Sequence, residues 1–379
     1  MKHLALSALL VLLIAGFRAN AQTTLQDSFL VDGMQRSFIL YVPASYAADT
    51  PAPLVLNLHG YGSNFLEQMF YGEFRPIADT AGFLIVHPNG TPDQLGNLSW
   101  NNFGLSTVDD IGFLSQLIDS ISSNYSIDAN RVYSTGMSNG GFMSYDLACN
   151  LSGRIAAVAS VTGSMILPNL ATCNATHSTP VMQIHGTIDS TVPYAGNAIF
   201  TPIDTLVKFW RELNNCDPVA ELEDVPNTST TDNCTAEHYV WNNGDAGSSV
   251  EFYKILGGDH SWPGAIVNIN TTNMDFSASR EIWRFFSQYR LDQLITQTPV
   301  LPDNDIAFTV FPNPTQDVIH VQFSSSASRK IRVIDITGRE IKSFACSDNR
   351  CEITLEERMI YMVQVNENGR VTTKRVVNM

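Results

Sequence analysis

The segment Gly136-Met137-Ser138-Asn139-Gly140-Gly141 limits what this chain can fold into more than any other. It joins an apolar run at 131–135 to a helix-like stretch that begins at Phe142. A strand, a sharp glycine-flanked turn and a helix, in that order, raise a serine hydroxyl to the apex of the turn. The flanking glycines suit such a turn because it brings backbone segments together where a Cβ would clash. The six residues on their own are a common pattern, and their meaning depends on what the rest of the chain supplies.

The rest of the chain supplies alternation. Residues 25–31 and 35–42 read as two strands around Asp32-Gly33, a hairpin turn signal. The run at 54–58 is short and continuously apolar, as in a strand buried on both faces, and His59-Gly60-Tyr61-Gly62 follows it at once. A helical pattern at 65–81, a strand at 83–86 and a helix at 110–124 come next, the last with Ile111, Leu114, Leu117, Ile118 and Ile121 on one face. Beyond the serine turn the pattern repeats: helix at 142–151, strand at 155–161, strand at 181–184, helix at 204–213, strand at 250–256 and helix at 276–291. The spacing predicts an α/β fold with a mostly parallel sheet, helices on both faces and function at the carboxyl ends of the strands. The short interval between the strands at 155–161 and 181–184 leaves no room for a large lid domain. The long polar segment 88–108, which carries Trp100, is either a wall of a site or a surface loop around a buried tryptophan.

The ends differ in character. Residues 1–21 carry Lys2, an apolar run and Ala19-Asn20-Ala21, the plan of a secretory signal peptide, which predicts an exported, soluble protein. The folded domain is expected over 22–291 and a Thr-, Pro- and Asp-rich linker over 292–305. Short alternating strands over 306–379 predict a small all-β, sandwich-like module with no residue set suited to catalysis. A net charge of -15 without a basic cluster argues against nucleic acid and anionic membrane surfaces as partners. No segment after the leader reaches the roughly 20 apolar residues that span a bilayer.

Six cysteines in an exported chain invite a disulfide reading, and nearest-neighbour pairing gives Cys149 with Cys173, Cys216 with Cys234 and Cys346 with Cys351. It is one of several connectivities. A bridge from Cys216 to Cys234 would stabilise by about 3 kcal/mol through loop entropy. Metal binding is not expected, because no tight Cys/His cluster occurs.

A serine hydroxyl needs a general base, an acid that orients the base, and donors for the oxyanion. On a sheet of this kind the three groups follow the chain order serine, acid, histidine. Ser138, Asp189 and His260 satisfy that order, each just past a predicted strand. His59 and His185 lie too early in the chain for the base and are expected to hydrogen-bond their turns. His87, His177, His238 and His320 read as structural or surface residues. Asp204, as a helix N-cap, and Asp259, too close to His260 along the loop, are the weaker acids. The expected oxyanion donors are the backbone amides of Asn139 and Tyr61. Asp109 and Asp110 read as an N-cap and a first-turn acid in preference to a metal pair.

These residues carry a resemblance. Leu58-His59-Gly60, Trp100-Asn101-Asn102, Val108-Asp109-Asp110-Ile111-Gly112-Phe113, the serine turn, His185-Gly186-Thr187-Ile188-Asp189 and His260-Ser261-Trp262-Pro263-Gly264 occur in order over about residues 25–290. Together they resemble the secreted esterases that group polyhydroxybutyrate depolymerase-like proteins with feruloyl and acetylxylan esterases. The resemblance implies an α/β-hydrolase fold, no cofactor, and ester hydrolysis through an acyl-enzyme on a plant polysaccharide or polyester. Trp262 and Trp100 are expected to line the substrate side, since aromatic faces suit feruloyl and sugar rings. Val310-Phe311-Pro312-Asn313-Pro314, Asp335-Ile336-Thr337-Gly338-Arg339 and the closing Lys374-Arg375-Val376-Val377 are similar to type IX sorting domains, which implies contact with an export machinery and a secreted or cell-surface location. The glycine usual two residues before Tyr361 is Met359 here, and the Cys346 and Cys351 pair is also atypical. The rival readings are a peptidase of the prolyl-oligopeptidase type and a non-catalytic carbohydrate-binding protein.

Overall fold

Asp32 and Gly33 take positive φ, 49° and 79°, and close a two-residue turn between β1 (Thr23–Val31) and β2 (Met34–Val42), which pair antiparallel. An Asp-Gly pair favours this turn because its twist matches that of the strands. The computed structural model describes residues 22–104, 106–295, 306, 308–335, 339–367 and 370–378. The expected signal peptide and most of the expected linker lie outside them.

β3 (Ala52–Leu58) is buried along its whole length. The helical pattern after it breaks into α1 (Phe65–Tyr71) and α2 (Arg75–Ala81), because Gly72 caps the first and Pro76 falls in the first turn of the second. β4 (Leu84–Pro88) is followed by a small ribbon, β5 (Thr91–Pro92) with β6 (Leu98–Ser99), inside the polar segment. Then come α3 (Asp110–Asn124), β7 (Ile127–Met137), α4 (Asn139–Asn150), β8 (Ala157–Val161), α5 (Leu167–Thr172), β9 (Val181–Gly186) and α6 (Ile203–Leu213). Pro202, not Asp204, holds the cap position of α6, and Asp204 instead accepts the Tyr194 hydroxyl from the first turn. β10 (Glu221–Glu223), β11 (Thr235–Trp241), β12 (Val250–Leu256), α7 (Ala278–Phe286) and α8 (Leu291–Leu294) complete the unit.

The sheet has ten strands in the order β1-β2-β4-β3-β7-β8-β9-β12-β11-β10. Its central six, β4 to β12, run parallel, and the two strands at each edge run antiparallel. Alternation along β3 divides the core. Leu54, Leu56 and Leu58 pack with α3, α4 and α6, whereas Val55 faces the side covered by α2, α7 and α8. The sequence expectation misses β11, whose inward positions Ala236, His238 and Val240 include a buried histidine. His238 bonds Glu251 and Glu223, so a polar pair occupies the place of an apolar signal.

β11 also overturns one cysteine expectation. Cys149 joins Cys173, and Cys346 joins Cys351, but Cys216 and Cys234 are free thiols. Cys234 stands immediately before Thr235, where β11 starts. Cys216 precedes Asp217, whose amide donates to Asn242 just past the other end of β11. Seven strand residues at about 3.3 Å each set the two cysteines at opposite ends of β11, roughly 23 Å apart. Burial pushes both thiols up to about 11.

The chain divides into two compact units at Thr296/Gln297. In the second, β13 (Phe308–Phe311), β14 (Val318–Phe323) and β17 (Arg350–Thr354) form one antiparallel sheet. β15 (Arg329–Asp335), β16 (Glu340–Cys346), β18 (Ile360–Glu367) and β19 (Arg370–Val377) form another. Ile319, Val321, Ile353, Ile331, Val333 and Val363 are fully buried in one core. The expected Thr337-Gly338 turn lies outside the described residues.

Candidate active site

Ser138 sits between β7 and α4 with φ 53° and ψ -119°, a conformation that a non-glycine residue adopts only under constraint. Three glycines make the turn possible. A Cβ on Gly140 would lie 2.2 Å from the Leu58 carbonyl oxygen, one on Gly136 2.6 Å from the same atom, and one on Gly141 2.5 Å from Ser160 Oγ. The end of β3 thus presses against both sides of the turn. Gly140→Ala should cost about 1–3 kcal/mol in a urea melt, because the facing carbonyl belongs to a central strand and cannot move aside. An unchanged midpoint would show that the turn relaxes freely.

His260 Nδ1 lies 2.8 Å from Asp189 Oδ2. The other carboxylate oxygen accepts the amides of Thr191 at 2.9 Å and Val192 at 2.8 Å. Asp189 is sealed from solvent, while the His260 ring keeps a small exposed edge. Behind the pair, His185 Nε2 lies 3.3 Å from the same Oδ2 and donates to the Val192 carbonyl at 2.8 Å. Its Nδ1 accepts from Gln183, whose carbonyl oxygen receives the Tyr145 hydroxyl. Gln183 therefore fixes the proton of His185 on Nε2, and burial holds the pKa of that imidazole below its ordinary value. Among the weaker acids, Asp259 bonds the His260 amide and Asp204 bonds Tyr194.

Ser138 and His260 open on one cavity of about 640 Å³. Leu66, Phe70, Tyr71, Met137, Val267 and Ile269 give it apolar walls. Among the described residues the Ser138 hydroxyl carries no hydrogen bond within the protein, and a serine–histidine bond of this kind often tightens only with substrate bound. Gly60 lies against the serine, with a built Cβ 3.4 Å from Ser138 Cβ. Tyr61 follows it in the same wall. The Tyr61 hydroxyl donates to Asp93 and accepts from Asn97. The Asn139 amide is the first of α4 and has no acceptor within the helix.

The two tryptophans do not form that cavity. Trp262 is buried in the core beside Phe74, its indole bonded to Ser279, because the chain turns inward directly after His260. Its backbone amide donates to the Tyr71 hydroxyl at 3.0 Å and so steadies a residue that does line the cavity. Trp100 is buried as well. Its indole donates to the His59 carbonyl at 2.9 Å and its amide to Asn139 Oδ1 at 2.6 Å. His59 bonds the Gly60 carbonyl and accepts the Gly90 amide, and burial lowers its pKa to about 4.

The Trp-Asn-Asn motif thus clamps the polar segment to the serine turn. The Asn101 amide donates to Asp110 Oδ2, while Asp110 Oδ1 pairs with buried Arg36 at 2.6 Å. That ion pair gives Asp110 a role beyond a first-turn acid. Asn102 bonds both Asn139 and Asp146. Asn169 binds the other oxygen of Asp146. Asp146 and Asn169 have no signal in the sequence beyond being polar positions near helices.

Burial raises the Asp146 pKa to about 6. A carboxyl whose pKa is higher folded than unfolded is held more tightly as the acid in the native state. Its contribution to stability is therefore present at low pH and is lost as pH rises from about 4 to about 6. The melting temperature of the parent relative to Asp146→Asn should fall across that window, and a constant difference from pH 4 to pH 7 would refute the shift.

Residues 45–217 match the phospholipase/carboxylesterase family. The chain carries a carboxylesterase domain. That domain is similar to a bifunctional acetylxylan esterase/xylanase, XynS20E, of Neocallimastix patriciarum, at 28% identity over 71% of this chain and 36% of the relative. It is also similar to feruloyl esterase B of Piromyces equi, at 26% identity over 60% of this chain and 42% of the relative. The chain thus spans well under half the length of these two relatives. An acetyl xylan esterase from Aspergillus awamori shares the fold, with a TM-score of 0.50, 16% identity, and coverage of 69% of this chain and 98% of that one. Residues 309–379 match a secretion system C-terminal sorting domain, which marks the carboxylesterase for secretion or cell-surface attachment. Among the described residues no group of His, Cys, Asp and Glu is placed to hold a metal ion, and no helix is long and apolar enough to cross a membrane.

Proposed function

We propose that the protein is a secreted serine carboxylesterase that hydrolyses acyl esters carried by plant polysaccharides. The observation that carries this reading is the meeting of Ser138, on a constrained turn, with the His260–Asp189 pair at one apolar cavity. Ser138 Oγ attacks the ester carbonyl, and His260 Nε2 takes the serine proton and returns it to the departing alcohol. Asp189 holds Nδ1–H and so keeps Nε2 unprotonated and aimed at the serine. The amides of Asn139 and Tyr61 receive the negative charge on the carbonyl oxygen. Water then releases the acyl group by the same steps in reverse. The sorting domain delivers the enzyme through the type IX export machinery to polymers outside the cell.

Cavity size bears on the acyl group. A hydroxycinnamoyl group fits a space of about 640 Å³ with apolar walls, whereas an acetyl group leaves most of it to water. The test is a set of kcat/KM values on methyl ferulate, acetylated xylan, short polyhydroxybutyrate and a peptide amide. The reading expects the ferulate to lead. Cleavage of the amide with no ester hydrolysis would favour a peptidase and overturn it.

A further inference from the structure

Trp100 holds two pieces of chain that meet at Ser138. Its backbone is bonded in both directions to one side chain: the amide donates to Asn139 Oδ1 at 2.6 Å, and the carbonyl accepts from Asn139 Nδ2 at 3.1 Å. Its indole N–H donates to the His59 carbonyl at 2.9 Å. Asn139 follows the serine and opens α4, while His59-Gly60-Tyr61 follows β3, and Gly60 lies against the serine from that side. Trp100 is 1% exposed, so water does not compete for these bonds.

The planarity of the peptide group carries these bonds to the amides. The Gly60 carbonyl and the Tyr61 N–H belong to one trans peptide and point in opposite directions, so whatever holds the oxygen aims the hydrogen. His59 Nδ1 donates to that oxygen at 2.7 Å, and the Ser63 amide adds a second bond at 3.1 Å. The Gly90 amide donates to His59 Nε2 at 2.9 Å, which leaves the ring proton on Nδ1. The preceding peptide is fixed in turn by the Trp100 indole on the His59 carbonyl. Two successive peptide planes leading to Tyr61 are therefore set. On the other side, the Asn139 side chain spends one Nδ2 hydrogen on Trp100 and the other on Asn102, which orients the residue whose own amide leads α4.

We infer that Trp100 is a positioning residue for the oxyanion hole. It ties the loop that carries the Tyr61 amide to the helix end that carries the Asn139 amide, and so fixes the spacing of the two donors. The inference rests on the esterase reading above. Trp100 acts through His59 and Asn139 and does not itself meet the reacting atoms. When Ser138 Oγ adds to the ester carbonyl, its proton passes to His260 Nε2 and the carbonyl π electrons move onto oxygen. Donors already at the right spacing receive that charge without rearranging. An error in the spacing is felt in the transition state and hardly at all in the bound ester, whose carbonyl oxygen carries far less charge.

The test uses Trp100→Phe, which keeps an aromatic ring in the buried site and removes the indole N–H, and Asn139→Ala, which keeps the backbone amide and removes the side-chain bonds. Each should lower kcat on the parent's fastest ester about ten-fold, less than the loss of a whole donor, with KM within about two-fold. Each should also weaken an aryl trifluoromethyl ketone by about the same factor, because Ser138 adds to that ketone to give a tetrahedral adduct with its charge on oxygen. The double variant should lose clearly less than the product of the two single losses, since a brace cut at one end transmits nothing from the other. An unchanged kcat, a loss confined to KM, an unchanged ketone affinity, or a double variant that loses the full product overturns the brace while leaving the esterase standing. If a thermal melt shows that Trp100→Phe does not fold, Asn139→Ala decides by the kcat and ketone comparison alone. A parent inactive on both methyl ferulate and acetylated xylan overturns the esterase reading and the brace with it.

Discussion

Alanine at position 138 should lower kcat for ester hydrolysis by about a million-fold, with no change in fold. Loss of the nucleophile alone removes nearly all that a serine, histidine and acid achieve together, because the three act as one unit. The variant is conservative for structure. The Ser138 hydroxyl carries no hydrogen bond among the described residues, and its amide, which donates to the Val161 carbonyl at 2.8 Å, is kept. The measurement is kcat on methyl ferulate beside a thermal melt, with an active-site phosphonate label as a second readout. Retained labelling, or a fall of less than about a hundred-fold, would move the nucleophile elsewhere.

Asp189→Asn should lower kcat/KM by about ten thousand-fold. The amide matches the carboxylate in shape, and its oxygen can still accept the Thr191 and Val192 amides. Its NH2 then faces two groups that both carry hydrogen, Nδ1–H of His260 and Nε2–H of His185. His185 cannot yield, because Gln183 donates to its other nitrogen. His260 must therefore shift its proton to Nε2, and the lone pair that should receive the serine proton is lost. The rate should fall mainly in kcat, since neither Asp189 nor His185 lines the cavity. A loss of less than about ten-fold would remove Asp189 from the mechanism.

The parallel sheet and the nearness of Ser138, Asp189 and His260 could be read from the chain because each depends on local chemistry. Short apolar runs that end in Gly-containing turns specify buried strands, and the glycines at 136, 140 and 141 record close backbone approaches that only those residues permit. Sequence reading failed where a side chain's neighbours come from distant segments. Trp262 is next but one to His260, yet it packs against Phe74. Trp100 lines a neighbouring cavity that shares Tyr61 and not the one that holds Ser138, and its indole is committed to the His59 carbonyl. The pairing of Cys216 with Cys234 failed for the same reason: adjacency along the chain says nothing of β11, which starts beside Cys234 and ends beside the neighbour of Cys216 and so holds the two thiols apart. The role of Asp146 was hidden entirely, because nothing in its helix indicates that Asn102 and Asn169 converge on it.

The anchors of the polar segment have a consequence for how such an enzyme can change. They stand on both sides of the ribbon: before it Asn89 accepts the Phe65 amide and the Gly90 amide donates to His59, and after it Trp100, Asn101 and Asn102 bind Asn139, Asp110 and Asp146. The tip at 93–97 is closed by its own turn bonds, with Asp93 accepting from Leu95 and Asn97, and it touches the body through the bonds of Asp93 and Asn97 to the Tyr61 hydroxyl. It behaves as an interchangeable cassette. Its sequence and length can be rewritten, by selection or by design, while the residues that carry the chemistry keep their positions.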